Sequence, residues 1–247
     1  MEKILVTGAN GYIGKHVVKF LLSKGYEVIA SDFRFDNVDD RATKLTVPIF
    51  TENKEIYKDV GRPDICIHLA WKDGFLHNSP AHIENLSNHF VFCKNMLDGG
   101  LKHISVMGSM HEIGYHEGSI DENTPTNPLS LYGVAKNSLR QSLSILLNNY
   151  EDVFFQWLRA YYILGDDKSN NSIFTKIIEK SEQGEKIFPF TSGKNKFDFI
   201  SVDELAEQIS VASIQKTEVG IINCCSGTPI SLAEKVETFI KENGFEI

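Results

Sequence analysis

Two residues spaced four apart carry the most chemistry in this chain. Tyr132 and Lys136, in Tyr132-Gly133-Val134-Ala135-Lys136, fall on one face of a helix, one turn apart. An ammonium ~4 Å from a phenol, at an effective dielectric near 20, favours phenolate by about 4 kcal/mol before desolvation. That equals roughly three pKa units, so the spacing predicts a phenol lowered toward neutrality. Such a group exchanges a proton with a sugar or alcohol hydroxyl while hydride moves to or from a nicotinamide. Ser109, in Val106-Met107-Gly108-Ser109-Met110, is expected just past a strand end, where ligands of open parallel sheets bind. Its hydroxyl would hold the reacting oxygen against Tyr132.

A dinucleotide needs a seat beside that pair. Thr7-Gly8-Ala9-Asn10-Gly11-Tyr12-Ile13-Gly14 joins the first strand-like run to the first helical one. Its spacing is G-x-x-G-x-x-G rather than G-x-G-x-x-G, with the same physics: glycines permit a tight turn, and a helix N-terminus then faces a pyrophosphate. Gly8, Gly11, Tyr12, Ile13 and Gly14 are the candidate contacts. Asp32 closes the second strand, where a carboxylate accepts hydrogen bonds from adenosine ribose hydroxyls and repels a 2′-phosphate. NAD is therefore favoured, with NADP possible because Arg34 is close by.

The elements that must position these groups alternate. Strand-like runs are Lys3–Thr7, Glu27–Ser31, Leu45–Phe50, Asp64–Leu69, His103–Gly108 and Val153–Arg159. Helical patterns fill Tyr12–Lys24, Pro80–Leu97 and Leu131–Asn149. Near-continuous apolar strands such as Ile65-Cys66-Ile67 suit a parallel sheet covered on both faces, and the alternation reads as an α/β doubly wound fold. Beyond about residue 165 the pattern weakens: helices at Asn171–Glu182, Val202–Ile214 and Ser231–Asn243, strands at Lys186–Phe190, Phe197–Ser201 and Val219–Cys224. Ser231 and Glu234 form a capping box. Residues 1–165 read as a dinucleotide-binding domain, and 166–247 as a small substrate-binding lobe interleaved with the last elements of the main sheet.

These residues resemble the extended branch of the short-chain dehydrogenase/reductase family, with its nucleotide-sugar epimerases, dehydratases and reductases. The likeness runs from Lys3 to about Ser231 and rests on Thr7–Gly14, Asp32, His68-Leu69-Ala70, Ser109, Tyr132–Lys136, Leu158-Arg159 and Asp198–Asp203. It implies a Rossmann fold, catalysis by Ser109, Tyr132 and Lys136, and a cofactor channel lined by Leu69, Ala70 and Trp71. It also implies that Lys136 and Tyr132 contact the cofactor, that Tyr161 and Tyr162 approach nicotinamide and substrate, and that the chain forms a homodimer. Dehydratases of the family carry an Asp-Glu pair directly after the catalytic Ser/Thr. Here Met110 and His111 follow Ser109, with Glu112 one place late, so dehydration is disfavoured. Phe197 stands where many members place an arginine for the substrate diphosphate, with Lys194 and Lys196 as alternative cations. Gly108–Lys136 looks closest to enzymes acting at C4 of 6-deoxy nucleotide sugars. The resulting expectation is an NAD(P)-dependent 4-epimerase or 4-ketoreductase of a nucleotide sugar. Alternatives are a reductase of a small carbonyl or non-nucleotide sugar, and a non-catalytic dinucleotide sensor.

Composition agrees. The 247 residues carry 25 Lys and Arg against 33 Asp and Glu, net −8, and are 42% hydrophobic. That excludes disorder and, with no basic run, argues against nucleic acid or an anionic membrane as partner. No apolar run approaches the ~20 residues of a membrane span, and the N-terminus lacks a signal-peptide layout, which suggests a cytoplasmic location. Cys66, Cys93, Cys224 and Cys225 lack zinc-ligand spacing and read as reduced thiols. The eight histidines are dispersed and no metal site is expected; His111, with His116, is placed to face a substrate.

Overall fold

The computed structural model describes residues 2–165 and 172–247. In chain order its elements are β1 (Lys3–Thr7), α1 (Gly14–Ser23), β2 (Glu27–Ser31), β3 (Thr43–Leu45), α2 (Ile56–Asp59), β4 (Ile65–His68), α3 (Ala81–Glu84), α4 (Leu86–Asp98) and β5 (His103–Ser109). There follow α5 (Leu131–Leu146), β6 (Phe154–Ala160), β7 (Tyr162–Leu164), α6 (Ile173–Glu182), β8 (Lys196–Phe197), β9 (Phe199–Ser201), α7 (Val202–Ile214), β10 (Gly220–Cys224), β11 (Ile230–Ser231) and α8 (Leu232–Asn243). Single 3₁₀ turns stand at Met110–Glu112 and Leu147–Asn149. Two compact units result: Met1–Ala160 with Val202–Cys224, and Tyr161–Ser201 with Cys225–Ile247.

The larger unit is an α/β fold around one seven-stranded sheet of order β10-β6-β5-β4-β1-β2-β3, every pairing parallel. Every residue of β4 and β5 is buried, as strands covered on both faces must be. Leu5, Phe92, Met96, Ile104, Leu139 and Trp157 form the heart of its core. Chain order reverses on either side of β1, which makes the β1/β4 boundary the switch point where ligands of such sheets bind. The registers Thr7↔Ser31 and Thr7↔His68 bring the carboxyl ends of β1, β2 and β4 to one edge.

Several elements differ from the sequence expectation, each for a local reason. The strand expected at Leu45–Phe50 is Thr43–Leu45, because its partner β2 ends at the pair Ser31↔Leu45 and Pro48 lacks a ladder donor. The helix expected over Pro80–Leu97 divides at Asn85, whose side-chain amide donates to the Ala81 carbonyl at 2.8 Å in competition with the helical ladder. The four-residue helix α2 carried no periodic signal.

In the smaller unit, the stretch expected as a strand at Lys186–Phe190 is irregular and contains Pro189. Phe197–Ser201 is split at Asp198 into β8, paired with β11, and β9, paired with β7. The Asp198 carboxylate accepts the Ser226 N–H at 2.7 Å and its carbonyl accepts the Tyr162 N–H at 3.2 Å. Phe174, Ile177 and Val236 form this unit's core, and the Ser231–Glu234 capping box opens α8. Asn171, at the start of the helix expected over Asn171–Glu182, lies outside the described residues.

Candidate active site

The turn after β1 is built for close approach. Gly8 has φ +68°, and a Cβ there would stand 2.8 Å from the Ala70 backbone. A Cβ on Gly14 would stand 2.1 Å from the Gly8 carbonyl oxygen. No side chain caps α1 and its first turn holds no acidic residue, so its positive end is left to an anion. Asp32 takes the Asn10 N–H at 2.9 Å and the Phe33 N–H at 2.7 Å, which fixes its carboxylate beside the turn. A cleft lined by Gly8, Asp32, Phe33, Val47, Ile49 and Ala70 opens there. Its apolar walls and single carboxylate suit an adenosine. Leu69 and Ala70 donate their N–H groups to the Thr7 carbonyl and hydroxyl, both at 3.2 Å.

Ser109 is the last residue of β5 and caps the following 3₁₀ turn, with its Oγ accepting the His111 N–H at 3.3 Å. Its side chain acts on the Tyr132 phenol, favouring the ionised form against the effect of burial. Ser130 caps α5 by accepting the Gly133 N–H at 3.2 Å, and the Tyr132 N–H donates to the His77 carbonyl at 2.9 Å. Gly133 is needed for this approach: a Cβ there would meet the His111 carbonyl oxygen at 2.3 Å. Lys136 is buried, donates to the Met107 carbonyl at 2.7 Å and stands 3.7 Å from the Trp71 ring centroid. The larger unit thus brings Ser109, Tyr132, Lys136 and Trp71 together, with His111 edge-on to Tyr132 at 5.8 Å.

Its charge state corrects the sequence expectation. Burial pushes the Tyr132 phenol above its ordinary value, the Glu112 charge adds to that, and only the Ser109 side chain opposes it. Lys136, 5.8 Å from the Tyr132 ring centroid, is itself pushed down to about 7 by burial, against the pull of Glu112. Desolvation disfavours both charged forms and exceeds the mutual attraction that spacing alone suggested. The resting phenol is protonated.

The sequence pattern of the NAD dependent epimerase/dehydratase family matches residues 4–225. The chain belongs to that family. It is 44% identical to dTDP-6-deoxy-L-talose 4-dehydrogenase (NAD(+)) of Aggregatibacter actinomycetemcomitans, over 99% of this chain and 92% of that one. Its fold is shared with UDP-glucose 4-epimerase of Thermotoga maritima solved with UDP-glucose, at TM-score 0.85 and 22% identity over 99% of this chain and 84% of that one. UDP-glucose 4-epimerase of Thermus thermophilus in complex with NAD superposes at TM-score 0.80, with 19% identity over 98% and 84% of the two chains.

Sequence reasoning missed how this family member braces Ser109. Glu112 is fully buried and its Oε1 accepts the Ser109 N–H at 2.7 Å. The Trp157 indole N–H approaches its two oxygens at 2.9 and 3.0 Å, with Arg159 at 3.5 Å and Arg140 at 3.7 Å. The S-x-x-E spacing of a capping box was the available signal, and it sat one place from where a dehydratase glutamate was sought. His116 is exposed, with its Nε2 3.2 Å from the Ser119 carbonyl oxygen. Tyr162 belongs to the smaller unit, where its ring packs edge-on to Phe197 at 4.4 Å; Lys194 and Lys196 are exposed there. Among the described residues no group of three His, Cys, Asp or Glu side chains could hold a metal, and no helix is long and apolar enough to cross a membrane.

Proposed function

We propose that this protein is an NAD-dependent 4-dehydrogenase of a nucleotide-activated 6-deoxy sugar, with a dTDP-sugar as substrate. The observation that carries the reading is the Ser109–Tyr132 hydroxyl pair with Lys136 one turn behind it, in a chain 44% identical along nearly its whole length to a dTDP-6-deoxy-L-talose 4-dehydrogenase. NAD, when bound, takes or gives the hydride. Gly8, Gly11, Tyr12, Ile13 and Gly14 hold its pyrophosphate at the α1 terminus, and Asp32 holds its adenosine ribose. Leu69, Ala70 and Trp71 line the channel. Ser109 holds the C4 oxygen. In its ionised form, with its own proton already released to solvent, Tyr132 takes that oxygen's proton when the alcohol is oxidised, and as the neutral phenol it gives a proton to that oxygen when the ketone is reduced. Lys136 stabilises the ionised phenol through its charge and binds the nicotinamide ribose. His111 contacts the sugar, and substrate binding is the role proposed for Tyr162 and for the smaller unit that carries it.

Mixing the protein with NAD and a dTDP-6-deoxyhexose is expected to raise absorbance at 340 nm stoichiometrically, with NADP a poorer oxidant because of Asp32. An unchanged absorbance at every pH, in this direction and with NADH plus the 4-keto sugar, rejects the dehydrogenase. A C4 epimer formed without free NADH would make the enzyme an epimerase instead. We also propose a homodimer through the α5 face, where Leu131, Val134 and Ile145 are exposed beside Ile83 of α3. Sedimentation at the monomer mass, at micromolar concentration, would reject it.

A further inference from the structure

Trp71 is held more firmly than a channel wall requires. Its Nε1–H donates to His82 Nδ1 at 3.0 Å, and His82 Nε2 lies 3.0 Å from the Leu76 carbonyl oxygen. His82 therefore accepts at Nδ1 and carries its proton on Nε2, so the plane of the indole is set by a tautomer. The ring stacks on His89 at 4.2 Å and 20°. The Lys136 ammonium stands 3.7 Å from the Trp71 centroid, well inside the ~6 Å over which an aromatic face attracts a cation. Among the described residues, the hydrogen-bond acceptor of that ammonium is the Met107 carbonyl. The remaining ionisable groups around it are Glu112 of the 3₁₀ turn, Cys93 and His89 of α4, His68 of β4 and Tyr132 of α5. His68 and His89 are held neutral by burial, so neither repels it.

We infer that Trp71 is a positioning residue for Lys136: its indole face is the cation–π seat that keeps the buried ammonium charged and fixed one turn behind Tyr132. A buried lysine with a single carbonyl partner tends to lose its proton, and a neutral Lys136 could not stabilise the ionised Tyr132. The indole supplies the missing attraction without a counter-charge that would compete with the phenolate. This deepens the proposed function, since it rests on Lys136 acting through its charge.

The test follows the titration of Lys136. In the unliganded protein, the emission of Trp71 (wild type minus Trp71→Phe) is expected to change with pH in a single step that Lys136→Met abolishes. In the reductive direction, where Tyr132 and Lys136 must both be protonated, the high-pH limb of kcat is expected to move down by about one pH unit in Trp71→Leu. Trp71→Phe, which keeps a ring, should move it less. The sign discriminates: a cavity merely loosened by the smaller side chain admits water, relieves the burial of the ammonium and moves the limb up. A limb that stays or rises, or an emission step that survives in Lys136→Met, overturns the inference. Should Trp71→Leu fail to fold, Trp71→Phe carries the same sign with a smaller shift. Lys136→Met with undiminished turnover would instead reject the proposed role of Lys136, whatever the emission shows.

Discussion

Replacing Tyr132 by phenylalanine lowers kcat by about a thousandfold, within the range that a positioned proton donor supplies, and weakens dinucleotide binding far less, by one contact among many. No neighbour takes over its work. His77, His82 and His111 meet Tyr132 through their rings, at centroid distances of 5.5, 5.2 and 5.8 Å, and both His82 ring nitrogens are engaged by Trp71 and the Leu76 carbonyl. Burial, with His77 beside it, pushes His111 down to about 4, so at neutral pH it has no proton surplus to give. Ser109 acts on the phenol, but its hydroxyl is a far weaker acid. The fold tolerates the change, since α5 begins on Ser130 and on the Tyr132 backbone N–H, neither of which needs the phenol. Single-turnover absorbance at 340 nm reads the rate, and NADH fluorescence titration reads the binding. A variant within threefold of wild type in kcat would remove Tyr132 from the chemistry.

The parts of this site that were legible in the sequence are those governed by short range. Three glycines spaced three apart, an acidic residue at the close of β2 and a Tyr–Lys pair four apart each state a local geometry. The parallel sheet likewise follows from strands apolar on both faces. Hidden were quantities set by packing. The charges of Tyr132 and Lys136 depend on how dry their surroundings are, and no spacing reports that. Glu112 meets Arg159 across β5 and β6, a contact between residues far apart in sequence. Trp71, Lys136 and His89 come from a strand-end loop, α5 and α4, and only the fold stacks them. Even Gly133, adjacent to a residue of obvious interest, declares its purpose only when the His111 carbonyl is seen where its Cβ would go.

Acid should destabilise this protein before its carboxylates protonate. The reason lies under the active site, in a buried chain of three side chains. Thr7 Oγ1 lies 2.7 Å from His68 Nδ1, and His68 Nε2 lies 3.0 Å from His89 Nδ1; both histidines are only 2% exposed. The contact between the rings needs one bare nitrogen, because two N–H groups would face each other if both imidazoles were charged. Burial pushes His68 down to about 3, with Lys136 adding to it, and His89 to about 2, with His68 and Lys136 adding. Each pKa is depressed on folding, so between the ordinary value of about 6.5 and these values the unfolded chain binds protons that the native state refuses. The stability they confer is complete above pH 6.5 and falls as pH drops toward 3. By pH 5 the loss, relative to a pH well above 6.5, is about 2 kcal/mol for each histidine and about 4 for the pair, against a total of roughly 5–15 for an ordinary domain. Glu112 works in the opposite sense: burial raises its carboxyl, so between its ordinary and raised values the native state gains a proton as pH falls, offsetting part of the loss. Urea midpoints at pH 7, 6 and 5 are expected to fall steadily, and His89→Gln should flatten the slope by about half. Equal midpoints at pH 7 and 5 would mean that both imidazoles already accept protons in the native state. The Trp71 ring rests on one of those imidazoles and Lys136 rests on Trp71, so the same neutrality that makes the fold acid-labile keeps positive charge away from the ammonium behind Tyr132.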